Sequence, residues 1–223
     1  MKQPVGIQGR ADAAIAENTA GAFSRRQVLG MAVAGAALAS GGFGVQARAA
    51  EYGKDDLMVG KADAPITIIE YFSMTCPHCA RFHLQTLPAL KKNWLDTGKA
   101  RLILREFPFD GPALRAAQLV RCAGPARFEA FLDVLFKRQA KWSRAADPIA
   151  ALGKIARLGG ISGQKFQACL SDSALENFIL ANRQEGERKF GVDSTPTFII
   201  EGDKYPGARS YEEMNDILLK YVK

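Results

Sequence analysis

The sequence predicts an α/β fold: a small mixed sheet with helices on both faces, interrupted once by an inserted block of helices. Three observations predict it. Two apolar runs with strand character, residues 66–72 and 100–107, flank a helical pattern. Helical periodicity then takes over from Ala113 to Phe190, and strand character returns at Val192 to Glu201 before a last helix. Sheets and helices must each bury a face against another layer, so the ends of the helical block are expected to rejoin one core.

Ala64-Pro65 punctuates the start of Ile66-Thr67-Ile68-Ile69-Glu70-Tyr71-Phe72, a β-branched and aromatic run that reads as a strand buried on both faces. A helix is expected from Cys76 to about Leu95, with Phe82, Leu84, Leu87, Leu90 and Leu95 as its apolar positions and a kink at Pro88. Ala100 to Phe107 is the next strand, closed by turn chemistry at Pro108 to Pro112, which makes a right-handed β-α-β unit the economical assembly.

Within 113–190, Phe128, Phe131, Leu132, Leu135 and Phe136 recur at helical spacing, as do Ile149, Leu152, Ile155 and Ala156, and then Leu175, Phe178 and Ile179. Gly124-Pro125, Asp147-Pro148 and Gly159-Gly160 break the block into separate helices. After the late strand, Gly202-Asp203 is expected to form a two-residue hairpin turn. Ser210 to Tyr221 forms the last helix, opened by a Ser-x-x-Glu capping box.

Composition narrows the function. Of 223 residues, 30 are Lys or Arg and 23 Asp or Glu, a net charge of +7, with 48% hydrophobic and 24% charged. That apolar share excludes a disordered chain, and no long stretch is apolar enough for a polytopic membrane protein. Residues 1–49 hold five basic residues (Lys2, Arg10, Arg25, Arg26, Arg48) and two acidic ones (Asp12, Glu17), so the rest carries only +4. The surplus is interleaved with acids rather than laid out in the stripe that phosphate contacts need, so nucleic-acid binding is not expected.

The first 49 residues read as an export signal, followed by a mature chain over 50–223. Ser24-Arg25-Arg26-Gln27-Val28-Leu29 precedes an uncharged Gly/Ala-rich stretch from Met31 to Val45, then Ala47-Arg48-Ala49 in the small-x-small form of a signal-peptidase site. The paired arginines, long polar leader and weakly hydrophobic core resemble a twin-arginine signal. Val28 stands where Phe is usual and Gly30 where Lys often sits. The alternative is a retained membrane anchor, for which about fifteen residues are short against a span of roughly twenty. Export places the four cysteines in an oxidising compartment, where disulfides persist.

Cys76-Pro77-His78-Cys79 carries the chemistry. Two cysteines three apart at a strand-to-helix junction can close a small disulfide, and the first sits where free amide N–H groups and the helix dipole lower a thiol's pKa. Pro77 suits the first helical turn, having no N–H to lose, and His78 can add a donor or a positive charge beside the sulfur. Spacing and context together point to redox chemistry. Glu70 is the odd residue of its strand: a carboxylate amid Ile68, Ile69, Tyr71 and Phe72 is costly to ionise, so its pKa is expected to be raised. An edge-facing, solvated Glu is the other reading.

The chain resembles the DsbA family of periplasmic thiol:disulfide oxidoreductases over essentially the whole of 50–223. The marks are Glu70-Tyr71-Phe72-Ser73 ahead of Cys76-Pro77-His78-Cys79, the helical insertion, and Ser194-Thr195-Pro196-Thr197-Phe198 entering the late strand. The resemblance implies a thioredoxin-like fold with an inserted α-helical subdomain, placed at 113–190. It implies Cys76 as the exposed attacking sulfur, Cys79 as the buried resolving one, Glu70 as the proton acceptor for Cys79, and Pro196 as a cis-proline facing the disulfide. A cis bond would turn Thr195 toward the site, where its backbone could meet an extended peptide; a trans proline opening an edge strand is the alternative. The peptide groove beside Pro196 is expected to include Phe72 and Met74.

Cys122 and Cys169 lie in the inserted helices with no partner at redox-motif spacing, and a structural disulfide or two buried free thiols would both fit. The resemblance permits the bridge without requiring it.

Three functions compete. The first is a periplasmic oxidant that donates disulfides to reduced, newly exported polypeptides and is recharged by a DsbB-like quinone-linked membrane oxidase; no cofactor is implied. The second is a reductase or isomerase on the same fold, since Thr195 before the proline also occurs in isomerase relatives. About sixteen residues between Ala50 and Ile66 leave no room for an N-terminal dimerisation domain, so a monomer is expected. The third is a metal-binding module using Cys76, Cys79, His78 and His83, with His83 otherwise a surface residue of the active-site helix.

Overall fold

The structure, a computed structural model, describes residues 56–222. The export signal expected over 1–49 lies outside the described residues. Among the described residues no helix is long and apolar enough to cross a membrane.

A five-stranded mixed sheet forms the centre: β1 (Leu57–Gly60), β2 (Ile66–Phe72), β3 (Ala100–Glu106), β4 (Thr197–Ile200) and β5 (Asp203–Pro206), in the order β1-β3-β2-β4-β5. Only β2 and β3 run parallel, with Ile66 opposite Ala100 and Phe72 opposite Glu106. Both are buried along their whole length, as their β-branched and aliphatic composition requires of strands covered on two faces. The edge strand β1 was not expected. Four residues are too few to show alternation, and its place is fixed by antiparallel pairing with β3.

The helical segment after β2 begins as α1 (Pro77–Arg81), passes through a π-helical turn (Phe82–Thr86), α2 (Leu87–Leu90) and a second π-helical turn (Lys91–Leu95). Pro88 does not end it. A proline removes one donor from the ladder, and the turn just before it is wound with the Leu87 N–H reaching the Phe82 carbonyl five residues back. One consequence is that the adjacent Phe82 and His83 are both buried.

The insertion holds α3 (Gly111–Ala123), α4 (Phe128–Lys137), α5 (Gln139–Ser143), α6 (Pro148–Leu158), α7 (Gly163–Leu170) and α8 (Ser173–Phe190). Asp110, Asp147, Ser162 and Asp172 cap α3, α6, α7 and α8 through side-chain oxygens that accept a backbone N–H. The last helix, α9 (Tyr211–Leu219), carries the Ser210–Glu213 capping box.

The sheet separates two apolar clusters. Ile66, Ile68, Phe72, Leu102, Leu104, Phe198 and Ile200 pack with Leu90, Trp94, Leu95, Met214 and Leu218, on the side of the active-site helix and α9. Ile69, Tyr71, Ile103, Phe107, Val192 and Ile199 form the second. Here α8 comes so close that a β-carbon on Gly186 would stand 2.6 Å from the Tyr71 ring, so only glycine allows the contact.

Two boundaries of the late hairpin differ from the sequence reading. The late strand starts at Thr197 rather than Val192, because Pro196 has no N–H for the ladder and the residues ahead of it form a loop. The hairpin turn is Glu201-Gly202, one residue earlier than expected, with Ile200 paired to Asp203. Both turn residues have positive φ, 48° and 99°, as this tight turn demands.

Candidate active site

The site is built where β2 ends. Cys76 is the N-cap of α1, extended at φ −76° and ψ 120°, with Pro77 in the first turn. The Cys76 N–H donates to the Ser73 carbonyl (3.1 Å), and the Cys76 carbonyl accepts the Ala80 N–H (3.2 Å). Thr75 Oγ1 donates to Asp110 Oδ2 (2.8 Å), whose other oxygen caps α3, so the turn and the insertion share one carboxylate.

The two sulfurs are free thiols in unlike surroundings: Cys76 is half-buried and Cys79 fully buried. The Cys76 thiol is lowered to about 5. The largest cause is the Cys79 S–H, which donates to its sulfur; the Thr195 side chain and the N–H groups of Cys79 and His78 add to it, against partial burial. As a thiol, Cys76 Sγ donates to the Thr195 carbonyl (3.2 Å). The Thr195 hydroxyl, buried and without a hydrogen-bond partner among the described residues in that state, can turn its proton to the sulfur once it is an anion. Cys79 is held well above the ordinary thiol value, by burial first and then by the neighbouring Cys76 and Glu70.

The Thr195–Pro196 peptide is cis, and both residues are buried beside the redox pair. Phe72 and Met74, expected in a groove there, are instead buried core residues. Phe109 is exposed and packs edge-on against Phe107.

Glu70 is fully buried. It shares the face of Ile68 and Phe72, opposite Leu104 and Phe198, which turns it toward the active-site helix rather than to a solvated edge. His83 Nε2 lies 3.0 Å from Glu70 Oε2, but neither carboxylate oxygen has a hydrogen bond of good geometry among the described residues. His83 is therefore no surface residue: it is buried, tilted over Phe136 at 4.5 Å and near Phe72 and Phe82. Four residues after the buried Cys79, it lies on the same face of the helix as that sulfur.

His78 is exposed, and its ring is engaged by Arg81, whose guanidinium donates to Nδ1 (2.9 Å). Arginine only donates, so Nδ1 accepts, and it is the His78 backbone N–H that serves the Cys76 sulfur. With His78 turned to Arg81 and His83 to Glu70, the four residues weighed as metal ligands do not gather. No group of three or more His, Cys, Asp or Glu suited to a metal ion occurs among the described residues. In the insertion, Cys122 of α3 and Cys169 of α7 are joined as a disulfide, with Cα atoms 6.1 Å apart.

The family model described as thioredoxin matches residues 53–220. Wolbachia pipientis alpha-DsbA1 superposes with a TM-score of 0.70 at 28% identity, covering 76% of this chain and 92% of that one. The chain is a DsbA-like member of the thioredoxin family. A candidate protein-disulfide oxidoreductase of Rickettsia bellii is 35% identical over 150 residues, 67% of this chain and 58% of the relative, so the match spans little more than half of that protein. Disulfide bond formation protein D of Bacillus subtilis is 25% identical over 178 residues, 76% of this chain and 78% of the relative. The oxidised BdbD structure from the same bacterium shares the fold, with a TM-score of 0.67 at 22% identity.

This DsbA-like site also contains what the sequence did not disclose. The Glu70–His83 approach is a tertiary contact between a strand and a helix that no local pattern signals. The two hydrogen bonds from Gln139 to the active-site turn join residues more than sixty positions apart, and no local pattern signals them.

Proposed function

We propose that the chain is an exported thiol:disulfide oxidoreductase that donates disulfides to reduced polypeptides, with Cys76 the exchanging sulfur and Cys79 the resolving one. The observation that carries this reading is the contrast between two sulfurs three residues apart: one half-exposed and lowered to about 5, the other buried and raised. The names of the Rickettsia and Bacillus relatives support it.

With Cys76 and Cys79 joined, a substrate thiolate attacks Cys76 Sγ. The S–S bond breaks with its electron pair on Cys79, which takes up a proton because its surroundings disfavour the anion. A second substrate thiolate attacks the substrate sulfur of the mixed disulfide and releases Cys76 as a thiolate, a fast leaving group because its pKa is low. The substrate loses two electrons and the chain gains them. On recharging, the Cys79 proton must depart. Glu70 is the acceptor, buried beside Cys79 with oxygen atoms not committed to hydrogen bonds among the described residues. Pro77 and His78 supply the helix start, and Thr195 with Pro196 the wall along which an extended peptide lies. The Cys122–Cys169 bridge is structural.

On this reading residues 1–49 are a twin-arginine-like export signal, the mature chain works in the periplasm as a monomer, and a DsbB-like quinone-linked membrane oxidase recharges it. The deciding experiment equilibrates residues 50–223 with glutathione and measures the potential. A value far more positive than about −270 mV, typical of thioredoxin, is expected, together with oxidation of a reduced test protein that Cys76→Ser abolishes. A potential at the thioredoxin value would reverse the direction of electron flow and make the chain a reductase.

A further inference from the structure

One side chain of the helical insertion holds two carbonyls of the active-site turn. Gln139, the buried first residue of α5, donates from Nε2 to the Met74 carbonyl and to the Cys76 carbonyl, each at 2.9 Å. An amide nitrogen has two hydrogens, so both bonds can form at once. They bracket Thr75 and take hold of the peptide that carries Cys76. Gln139 is itself fixed: Trp142 of the same short helix is buried and donates from Nε1 to the Leu135 carbonyl of α4 (2.9 Å).

The Cys76 peptide needs this hold. An N-cap residue must stay extended while its carbonyl already accepts the first helical bond, and the Cys76 carbonyl does so from the Ala80 N–H. The groups that favour the Cys76 thiolate are directional donors, and the field of a helix N-terminus falls off within one turn. A peptide free to rotate would carry the sulfur away from the Cys79 S–H and from the N–H groups of His78 and Cys79.

We propose that Gln139 is a positioning residue through which the helical insertion sets the acidity of the Cys76 sulfur. This rests on the reading of Cys76 as the exchanging sulfur. The test uses the mature chain with Gln139→Met, which keeps length and loses both donors, and Gln139→His, which keeps one. Trp142→Phe loosens the same helix without touching the turn. The thiolate midpoint of Cys76 is read from the pH dependence of its alkylation rate, beside the equilibrium with glutathione and the thermal midpoint. Gln139→Met is expected to raise the thiolate midpoint by about one pH unit, a tenfold fall in the thiolate-to-thiol ratio. The glutathione equilibrium should move toward a more reducing protein. Gln139→His should fall between it and the wild type and remains measurable should Gln139→Met not fold. Trp142→Phe, which keeps both Gln139 donors, should lower the thermal midpoint while moving the thiolate midpoint much less than Gln139→Met. A low wild-type midpoint that neither Gln139 variant moves overturns the inference alone; an ordinary midpoint in the wild type overturns the functional reading along with it.

Discussion

Glu106, at the end of β3, and Glu70, in the middle of β2, are both buried carboxylates within the central pair of strands, and their surroundings are opposite. Arg121 donates to Glu106 through Nε (2.6 Å) and through a terminal nitrogen (2.7 Å), and Asn182 lies 3.5 Å away. This fork-to-fork pairing fixes α3 to the sheet and uses both carboxylate oxygens. Among the described residues Glu70 has the His83 ring at 3.0 Å and no hydrogen bond of good geometry to either oxygen. A buried acid whose acceptors are all engaged is a structural joint; one whose acceptors are uncommitted beside a thiol of raised pKa is equipped to exchange a proton.

Breaking the first acid should therefore cost stability and spare the chemistry. Arg121→Met leaves a buried carboxylate without its fork, and unfolding in denaturant should show a loss of about 3–5 kcal/mol. The thiolate midpoint of Cys76 should not move; if it does, the two acids are coupled and the contrast fails. Removing the Cys122–Cys169 bridge is a second purely structural lesion. With 47 positions between the two cysteines, loop-closure entropy predicts a loss of about 4 kcal/mol, again with redox chemistry intact.

Breaking the second acid should do the reverse. Glu70→Gln keeps the shape and cannot accept a proton, so stability should stay level or rise by about 1 kcal/mol. Reoxidation of the reduced pair, followed by stopped flow, should slow by about tenfold or more, most clearly near neutral pH. An unchanged rate would return Glu70 to a mere packing role.

The smallest effect sharpens the comparison from the sulfur side. The Cys76 pKa is depressed in the folded chain, so its contribution to the reduced form is complete above the ordinary thiol value, partial at neutral pH, and lost as pH falls through about 5. Cys79, raised by its burial, works against the reduced fold only at alkaline pH, where the unfolded thiol would ionise and the folded one would not. The potential should accordingly fall by about 30 mV per pH unit above pH 5 and by about 60 mV per unit below it, since one proton or two then accompany two electrons.

The sequence disclosed these features unevenly, for physical reasons. Glu70 was legible because a charge inside a β-branched run violates the local pattern. The redox pair was legible because its spacing and its place at a helix start are both local. The break at Asp147-Pro148, where a helix begins, and the Ser210–Glu213 box were legible for the same reason. His83 was read as a metal ligand or a surface residue because a polar ring in a helix usually faces water, whereas its burial comes from Glu70 and Phe136 packed around it. β1 was missed because a four-residue strand owes its existence to its neighbour. Gln139 stayed hidden because its role depends on a tertiary approach between the insertion and the turn.

The groups around Cys76 come from three stretches of chain: the turn itself, Gln139, and Thr195, which lies 119 positions downstream. A ribosome-bound or unfolded precursor has not yet brought them together, and its thiols keep the sluggishness of free cysteine. The full acidity of Cys76 is thus completed only when these distant stretches meet, so its greatest reactivity comes with the finished fold.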